Sequence, residues 1–302
     1  MARAVALVAL LVGCDQAWQL ERDEPPLCGP FAAPTQVPFH AELVDAHDFS
    51  VDSSGTRGLI YAKYTPRTAN PTGVHAIKLE NGTWRIEPAR NTGVIISLDG
   101  GHISENNMSV GWLTRESNGG PGVSEYTFSM TAVPPQWGGP SSGFLDAVRS
   151  DTSTAGNVIV LPYTAVATIR FAVTIKLSDS TDPNTMRIFQ LFPNRFEWEL
   201  TAQADPMKTS KLKVNPNGGV LTADHNKLVY SARLGTGTTS RLYASGRLRD
   251  EFAPGPELRI EGVEGDEDLT EPWVNGDCTQ LYFRRDNVTW MATAVDASGT
   301  PP

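Results

Sequence analysis

The sequence predicts an all-β protein, a β-propeller of four-stranded antiparallel blades. Three observations lead to this prediction. Short apolar or alternating runs recur along the chain, turn-forming residues separate them, and no stretch shows the 3.6-residue period of an amphipathic helix. The 302 residues include 27 glycines and 22 prolines, a composition that suits many short strands joined by turns.

The clearest repeat lies near the C-terminus, from Leu269 to Thr293. A short run ends at Val274 and is followed by the polar turn Asn275-Gly276-Asp277. An alternating strand, Gln280 to Arg284, leads through a second turn at Asp286-Asn287 into a third strand. Two strands joined by an Asn/Gly/Asp turn and followed by a third are typical of an antiparallel meander.

The same order of phrases recurs four more times upstream, which indicates a repeat architecture. Each module opens with an aromatic residue, usually followed by a proline, and continues with three strands. The openings are Phe31 to Pro34, Trp84 to Pro88, Trp137 to Pro140, Phe196 to Trp198, and Phe252 to Pro254. With an outer strand after each aromatic phrase, a module spans roughly 45 to 55 residues in four strands, the size of a propeller blade. Five blades are predicted, with six as the alternative if the interval Asp151 to Asp224 holds another.

The strand positions follow from the apolar runs and the turns between them. In the first four modules they are Asp48–Val51, Gly58–Tyr64 and Gly73–Leu79; Gly93–Leu98, Met108–Leu113 and Val123–Met130; Asn157–Leu161, Ala167–Ile175 and Met186–Phe192; and Gly219–Thr222, Lys227–Ala232 and Ser240–Ser245. The fifth module lacks an outer strand. The segment Phe31 to Phe39 can supply it, which would close the ring and cover both sheet edges.

The fifth module also carries a family resemblance. Its phrase from Pro272 to Phe283 resembles the TolB-type propeller repeat, P-x-W-S-P-D-G-x-x-L-Y-F, with Asn275-Gly276-Asp277 where Pro-Asp-Gly is usual. The other modules match more weakly. The chain therefore resembles lipidated TolB-like propeller proteins of bacteria over about residues 30–295. The resemblance implies the fold and leaves the ligand open.

The N-terminus predicts export. Arg3 precedes an apolar run, Ala4 to Val12, which is shorter than the roughly 20 residues needed to span a bilayer. The run ends in Leu11-Val12-Gly13-Cys14, which resembles the bacterial lipobox; an ordinary secretory signal is the alternative. The resemblance implies cleavage before Cys14 and a lipid on that residue, hence a protein anchored in the bacterial cell envelope, in either the inner or the outer membrane. The predicted organisation is a signal peptide (1–13), a tether (14–29), the propeller (30–296) and a disordered tail (297–302).

The two other cysteines are Cys28, just before the closing strand, and Cys278, in the last blade. A closed propeller would bring these positions together. Exported proteins meet an oxidising environment, in which disulfides form. We expect a Cys28–Cys278 disulfide, with two unpaired buried thiols as the alternative.

Candidates for chemistry are few. Asp45, His47 and Asp48 are predicted to lie at the start of the first inner strand, facing the central channel. Five-bladed glycosidases place an acid and a base there, but they use three separate carboxylates. Candidates for the others are Asp146 or Asp151 in the third module and Asp266 or Glu271 in the fifth. The acidic run Glu261 to Glu271 could bind Ca²⁺ through its oxygens or lie solvated between blades.

The formal charge of −9 argues against a nucleic-acid partner, which needs a basic surface. No cofactor motif is present, and the histidines lack metal-ligand spacing. The sequence therefore favours a membrane-anchored, non-enzymatic propeller that binds an envelope protein or a polysaccharide, without metal or cofactor. The alternative is a carbohydrate-binding or glycoside-hydrolysing propeller that uses carboxylates in its channel.

Overall fold

The computed structural model describes residues 28–52, 54–65, 72–87, 100–103, 108–117, 120–129, 158–165, 168–175, 185–192, 197–202, 214–221, 227–234, 238–248, 251–252, 255–275 and 277–295. Cys14, Asp146 and Asp151 lie outside these residues, as do the predicted signal peptide and most of the tether. Within the described residues the chain is all-β, with no helix. Accordingly, this part of the chain holds no helix long and apolar enough to cross a membrane.

The described strands number nineteen. In chain order they are β1 (Thr35–Gln36), β2 (Leu43–Val51), β3 (Arg57–Tyr64), β4 (Thr72–Glu80), β5 (Thr83–Ile86), β6 (Gly100–Ile103), β7 (Met108–Ser117), β8 (Gly120–Ser129), β9 (Val158–Ala165), β10 (Thr168–Ile175), β11 (Thr185–Phe192), β12 (Glu197–Ala202), β13 (Val214–Leu221), β14 (Lys227–Leu234), β15 (Ser240–Leu248), β16 (Glu251–Phe252), β17 (Leu269–Val274), β18 (Gln280–Arg285) and β19 (Val288–Thr293).

These strands form five antiparallel sheets among the described residues. The strand orders are β2-β3-β4-β5, β6-β7-β8, β9-β10-β11-β12, β13-β14-β15-β16 and β17-β18-β19-β1. Consecutive strands pair with each other in every sheet, and in the last sheet β19 also pairs with β1 from the start of the described chain. The first strands contact one another in turn, β2 with β6, β6 with β9, β9 with β13 and β13 with β17, and β17 contacts β2. The first strands are therefore the inner ones.

Most strands fall where the sequence predicts them, because apolar runs and polar turns are local signals. The second sheet differs. Gly100 and Gly101 lie between the predicted strands Gly93–Leu98 and Met108–Leu113, yet they form the start of β6 and pair with Trp112 and Gly111. The predicted strand Gly93–Leu98 lies outside the described residues. Glycine is permissive in extended as well as turn conformations.

The start of the described chain connects the last sheet to the first. In this N-terminal strap (residues 28–40), β1 pairs antiparallel with β19. The amide of Val37 donates to the carbonyl of Thr289 at 3.0 Å, and the amide of His40 donates to the carbonyl of Trp84, in β5, at 2.9 Å. One segment thus supplies backbone hydrogen bonds to both sheets, and we call the junction between these sheets the seam.

The apolar side of the seam centres on Phe49, whose exposed fraction is 2%. Its ring meets Phe39 of the strap at 5.3 Å, Trp84 of the first sheet at 5.0 Å and Tyr282 of the last sheet at 5.0 Å, each edge-to-face. Edge-to-face pairs add to the gain from apolar burial, by about 0.5–1.5 kcal/mol each. Phe49 therefore packs the first sheet, the last sheet and the strap into one core.

A disulfide joins Cys28, at the beginning of the strap, to Cys278, in the turn between β17 and β18. The turn is held by Asn275, whose Oδ1 accepts a hydrogen bond from the amide of Gln280 at 2.8 Å. Asp277 contributes by accepting from the amide of Thr279 at 3.1 Å. The disulfide therefore attaches the strap to a rigid hairpin of the last sheet.

Replacing both cysteines, Cys28→Ala with Cys278→Ala, should lower the free energy of unfolding by about 5 kcal/mol on the chain-entropy model, because the bond spans 250 residues. Urea unfolding followed by tryptophan fluorescence measures the change. A reductant should move the wild-type midpoint to that of the variant and leave the variant unchanged. Equal midpoints for the two proteins without reductant would show that the bond does not constrain the unfolded chain.

Candidate functional site

Four polar side chains meet at the seam. His47 and Asp48 come from β2, Glu271 from β17 and Arg284 from β18. We call these four residues the seam cluster. Asp48 and Glu271 are 223 residues apart in sequence, so only the contact between the first and last sheets brings them together.

Irregular strands aim these side chains. The pairing of β2 with β3 shifts register twice, between Val44 and His47 and again between His47 and Ser50. Asp48 has a positive φ of 50°. In the last sheet, β17 shifts register between Thr270 and Trp273, and Glu271 has a φ of 53°. Bulges re-aim side chains at functional sites, and positive φ in a residue other than glycine costs on the order of 1–3 kcal/mol.

Direct contacts hold the cluster across the seam. The amide of Asp48 donates to Glu271 Oε2 at 2.9 Å. Arg284 Nη1 donates to Glu271 Oε1 at 2.8 Å, and its Nη2 donates to Asn287 Oδ1 at 3.1 Å. His47 Nδ1 lies 3.5 Å from Asp48 Oδ2 and 3.7 Å from Glu271 Oε1. Both carboxylates thus lie beside the imidazole of His47, and Glu271 is also bonded to the guanidinium of Arg284.

The cluster is partly enclosed. The exposed fractions of the side chains are 21% for His47, 16% for Asp48 and 23% for Glu271. The ring of His47 lies 4.6 Å from the ring of Tyr61, its partner in the ladder between β2 and β3. The cluster is therefore half-buried, and part of each side chain stays open to a ligand.

Enclosure changes the acidity of two groups. Burial, helped by the negative charge of Asp48, raises the pKa of Glu271 above its ordinary value; the charges of His47 and Arg284 and the amide of Asp48 oppose the rise without cancelling it. Burial lowers the pKa of His47, but the polar contact with Asp48 and the charges of Asp48 and Glu271 outweigh it. The pKa of His47 is therefore raised above its ordinary value of 6.5.

The sequence identifies part of this cluster. His47, Asp48 and Glu271 were candidates and meet, although β2 begins at Leu43, so His47 lies inside the strand and not at its start. Asp45 has a φ of 52° and is exposed outside the cluster. Asp266 is also exposed, in the loop before β17.

Arg284 is the member that sequence reasoning missed. It stands at the polar end of an alternating strand, where an arginine is ordinarily a solvated residue. Its role depends on a carboxylate in the neighbouring strand β17, and no local signal marks that contact.

The acidic run Glu261 to Glu271 is held by a cation from another strand, Arg241 of β15. Arg241 Nη1 donates to the carbonyls of Glu264 at 2.5 Å and Glu267 at 3.0 Å, and Arg241 Nε donates to Glu257 Oε1 at 2.7 Å. The guanidinium therefore occupies carbonyl oxygens that a Ca²⁺ ion would need as ligands. This contact favours a loop closed by Arg241 over a calcium site.

The seam cluster could also bind a metal ion, since ligand atoms of His47, Asp48 and Glu271 lie within 4.8 Å of one another. The fit is poor, however, because Arg284 already donates to Glu271 Oε1, the oxygen nearest His47. A divalent cation there would face a guanidinium at the same oxygen. The donor set therefore favours acid–base chemistry over metal binding.

Comparison with known proteins shows the fold. No protein-family model and no curated sequence matches the chain. An endo-arabinase from Bacteroides thetaiotaomicron has a TM-score of 0.54 at 12% identity, covering 90% of this chain and 99% of that chain. A mannose phosphorylase from Leishmania mexicana, in complex with phosphate ion, has a TM-score of 0.50 at 8% identity, covering 95% and 93%. An exo-beta-1,3-galactanase from Phanerochaete chrysosporium has a TM-score of 0.50 at 13% identity, covering 88% and 66%.

These three proteins are propellers, and the likeness shows that this chain is a β-propeller as the sequence predicts. The prediction that the chain is not an enzyme is wrong, because the structures that share its fold over most of its length are enzymes. The prediction relied on the absence of three identifiable carboxylates in separate modules. The seam cluster instead pairs two carboxylates with an imidazole and a guanidinium.

His47 should make stability depend on pH. The unfolded chain loses the imidazole proton near 6.5, whereas the folded protein holds it to higher pH. Protonated His47 therefore stabilises the fold fully below pH 6.5, and this contribution disappears as the pH rises through the folded-state pKa. The loss of unfolding free energy in His47→Gln, measured by urea titration, should be larger at pH 6 than at pH 9. A loss that does not change with pH would contradict this prediction, and the NMR titration of the ring protons identifies the imidazole responsible.

Proposed function

We propose that the chain is a carbohydrate-active enzyme that cleaves glycosidic bonds, with the seam cluster as its catalytic site. One observation carries the proposal: two carboxylates, Asp48 and Glu271, meet at the inner strands of a propeller, and the pKa of one of them is raised. Pairs of carboxylates with separated acidities perform acid–base catalysis at glycosidic bonds. The propellers that this chain is similar to are named endo-arabinase, exo-beta-1,3-galactanase and mannose phosphorylase.

Glu271 is the proton donor in this proposal. Its raised pKa keeps a proton on the carboxyl group to a higher pH than an ordinary glutamic acid. It would give this proton to the glycosidic oxygen as the bond from that oxygen to the anomeric carbon breaks. Arg284, fixed by Asn287, holds the orientation of the carboxyl group through Oε1.

Asp48 is the second carboxylate. The ligand oxygens of Asp48 and Glu271 lie within 4.8 Å of each other, whereas inverting glycosidases keep their carboxyl groups roughly 6.5–9.5 Å apart to admit a water molecule. The short separation favours retention, in which Asp48 attacks the anomeric carbon and forms a glycosyl-enzyme. Water then hydrolyses this intermediate, and Glu271 takes a proton from the water and is restored.

We also propose a five-bladed ring closed by the strap. Five blades are supported by the contacts between successive inner strands, β2, β6, β9, β13 and β17, and by the contact of β17 with β2. The pairing of β1 with β19 supports closure by an N-terminal strand. The TolB-like phrase in β17 and β18 supports that subtype of propeller.

The N-terminal sequence supports a location in the bacterial cell envelope, anchored by a lipid at Cys14. An enzyme at that place would meet envelope polysaccharides as substrates. This location is independent of the chemistry at the seam cluster.

The catalytic proposal is tested by Glu271→Gln and Asp48→Asn, assayed on 4-nitrophenyl arabinosides, galactosides and mannosides and on the corresponding polysaccharides. Glu271→Gln should lower kcat/KM, which reports the step that breaks the glycosidic bond, about 10²- to 10⁴-fold on polysaccharides and much less on nitrophenyl glycosides, whose leaving group needs no proton. Asp48→Asn should lower the activity on polysaccharides and on nitrophenyl glycosides alike. Wild-type activity should decline as the pH rises through the raised pKa of Glu271.

Asp266→Asn is the matched control, because it removes an exposed carboxylate outside the cluster, and it should keep full activity. Glycosidase activity that survives in both Glu271→Gln and Asp48→Asn would place the catalytic site elsewhere. A wild-type protein inactive on every substrate class would reject the proposed function.

The anchoring proposal is tested by Cys14→Ala. The wild type should sediment with membranes and enter the detergent phase, whereas the variant should be recovered in the aqueous phase. Mass spectrometry of the N-terminal peptide measures the lipid directly. A variant that still partitions with membranes would show that Cys14 is not the anchor.

A further inference from the structure

We infer that Thr289 is a positioning residue of the seam cluster, which sets His47 and Asp48 against Glu271. Its effect on catalysis rests on the proposed function, whereas its effect on the geometry of the cluster does not. Thr289 lies in β19 with an exposed fraction of 5%. Its hydroxyl donates to the carbonyl of Ala46 at 3.2 Å, which joins the last sheet to β2 directly before His47.

The bulged part of β2 needs such a partner. In its register with β3, His47 pairs with Tyr61, but Asp45, Ala46 and Asp48 have no opposite residue. A buried carbonyl without a hydrogen bond costs roughly 1–3 kcal/mol, so this conformation needs donors and acceptors from elsewhere. The last sheet supplies a donor for the carbonyl of Ala46, the hydroxyl of Thr289.

Two bonds from the last sheet flank His47. Thr289 holds the carbonyl of Ala46, one residue before it, and Glu271 holds the amide of Asp48, one residue after it. The two bonds fix the backbone on both sides of His47, and this limits the positions that its imidazole can reach. Glu271 is a member of the cluster itself, so Thr289 is the support that is independent of the charges.

Thr289 is well placed to transmit the position of the last sheet. Its pairing partner in β18 is Arg284, the residue that holds Glu271. Its own carbonyl accepts from the amide of Val37 in the strap at 3.0 Å. Thr289 is therefore connected to both halves of the cluster. It pairs with Arg284, which holds Glu271, and its hydroxyl bonds to the residue before His47.

The test replaces Thr289 with valine, which has nearly the same shape and no hydroxyl, and with serine, which keeps the hydroxyl. Thr293→Val, in the same strand and away from Ala46, is the matched control. The primary measurement is the NMR titration of His47. The charged groups that face its imidazole are Asp48 on its own strand, Glu271 on β17 and Arg284 on β18, with Tyr61 on β3 as a neutral neighbour.

Thr289→Val should move the pKa of His47 toward 6.5, because the carboxylates of Asp48 and Glu271 are no longer held close to the ring. Thr289→Ser and Thr293→Val should titrate like the wild type. With a glycoside substrate, Thr289→Val should lower kcat roughly 5- to 10-fold, the effect of one lost hydrogen bond, and shift the pH profile together with His47. A residue that only stabilises the fold would lower the melting temperature and leave both the titration and the profile in place.

An unchanged His47 titration in Thr289→Val would overturn the inference, as would a serine variant that behaves like valine. If the valine variant does not fold, Thr289→Ala against Thr289→Ser gives the same comparison, since these two differ only in the hydroxyl oxygen. A wild type without glycosidase activity would defeat the proposed function while the titration still decides the role of Thr289.

Discussion

The hydrogen bond from the amide of Asp48 to the carboxylate of Glu271 links the first inner strand to the last. In the ring that we propose, the first and last sheets must meet, because an edge strand left open would expose a row of unpaired backbone groups. Here the strap covers the outer side through β19, Phe49 fills the apolar interior, and this one bond lies on the inner side. Every other feature of the site depends on the two sheets remaining at this distance.

Holding the sheets together with charged groups carries a cost. Charged groups lose hydration when they are enclosed, and this loss is the main reason why the pKa of Glu271 is raised. His47 and Arg284 offset part of it, because each brings positive charge toward Glu271 Oε1. The positive φ angles of Asp48 and Glu271 add backbone strain. A seam needed only for closure would be more stable with apolar packing, so the polar arrangement points to chemistry.

The sequence predicts the features that depend on neighbouring residues. Turn chemistry and apolar runs place strands such as β14 and β18 close to their observed positions, and the Asn275 turn is held by the bonds that its residue types favour. The site depends on partners far apart in the chain. Asp48 could be proposed because it stands beside His47, but the roles of Arg284 and Thr289 arise only when β18 and β19 lie against β2. Bulges are equally hidden, since an irregular strand loses the alternation that identifies strands.

The location of the cluster at the seam, and not within one sheet, follows from the same irregularity. A bulge leaves backbone groups of its strand without partners in the ladder, and β2 is an innermost strand with no further strand on its other edge. Two of its backbone groups, the carbonyl of Ala46 and the amide of Asp48, bond instead to the adjacent sheet, through Thr289 and Glu271. The distortion that aims His47 and Asp48 therefore also creates the need for the last sheet. The contact between the first and last sheets and the assembly of the site therefore depend on the same hydrogen bonds, and a change that loosens the seam weakens both.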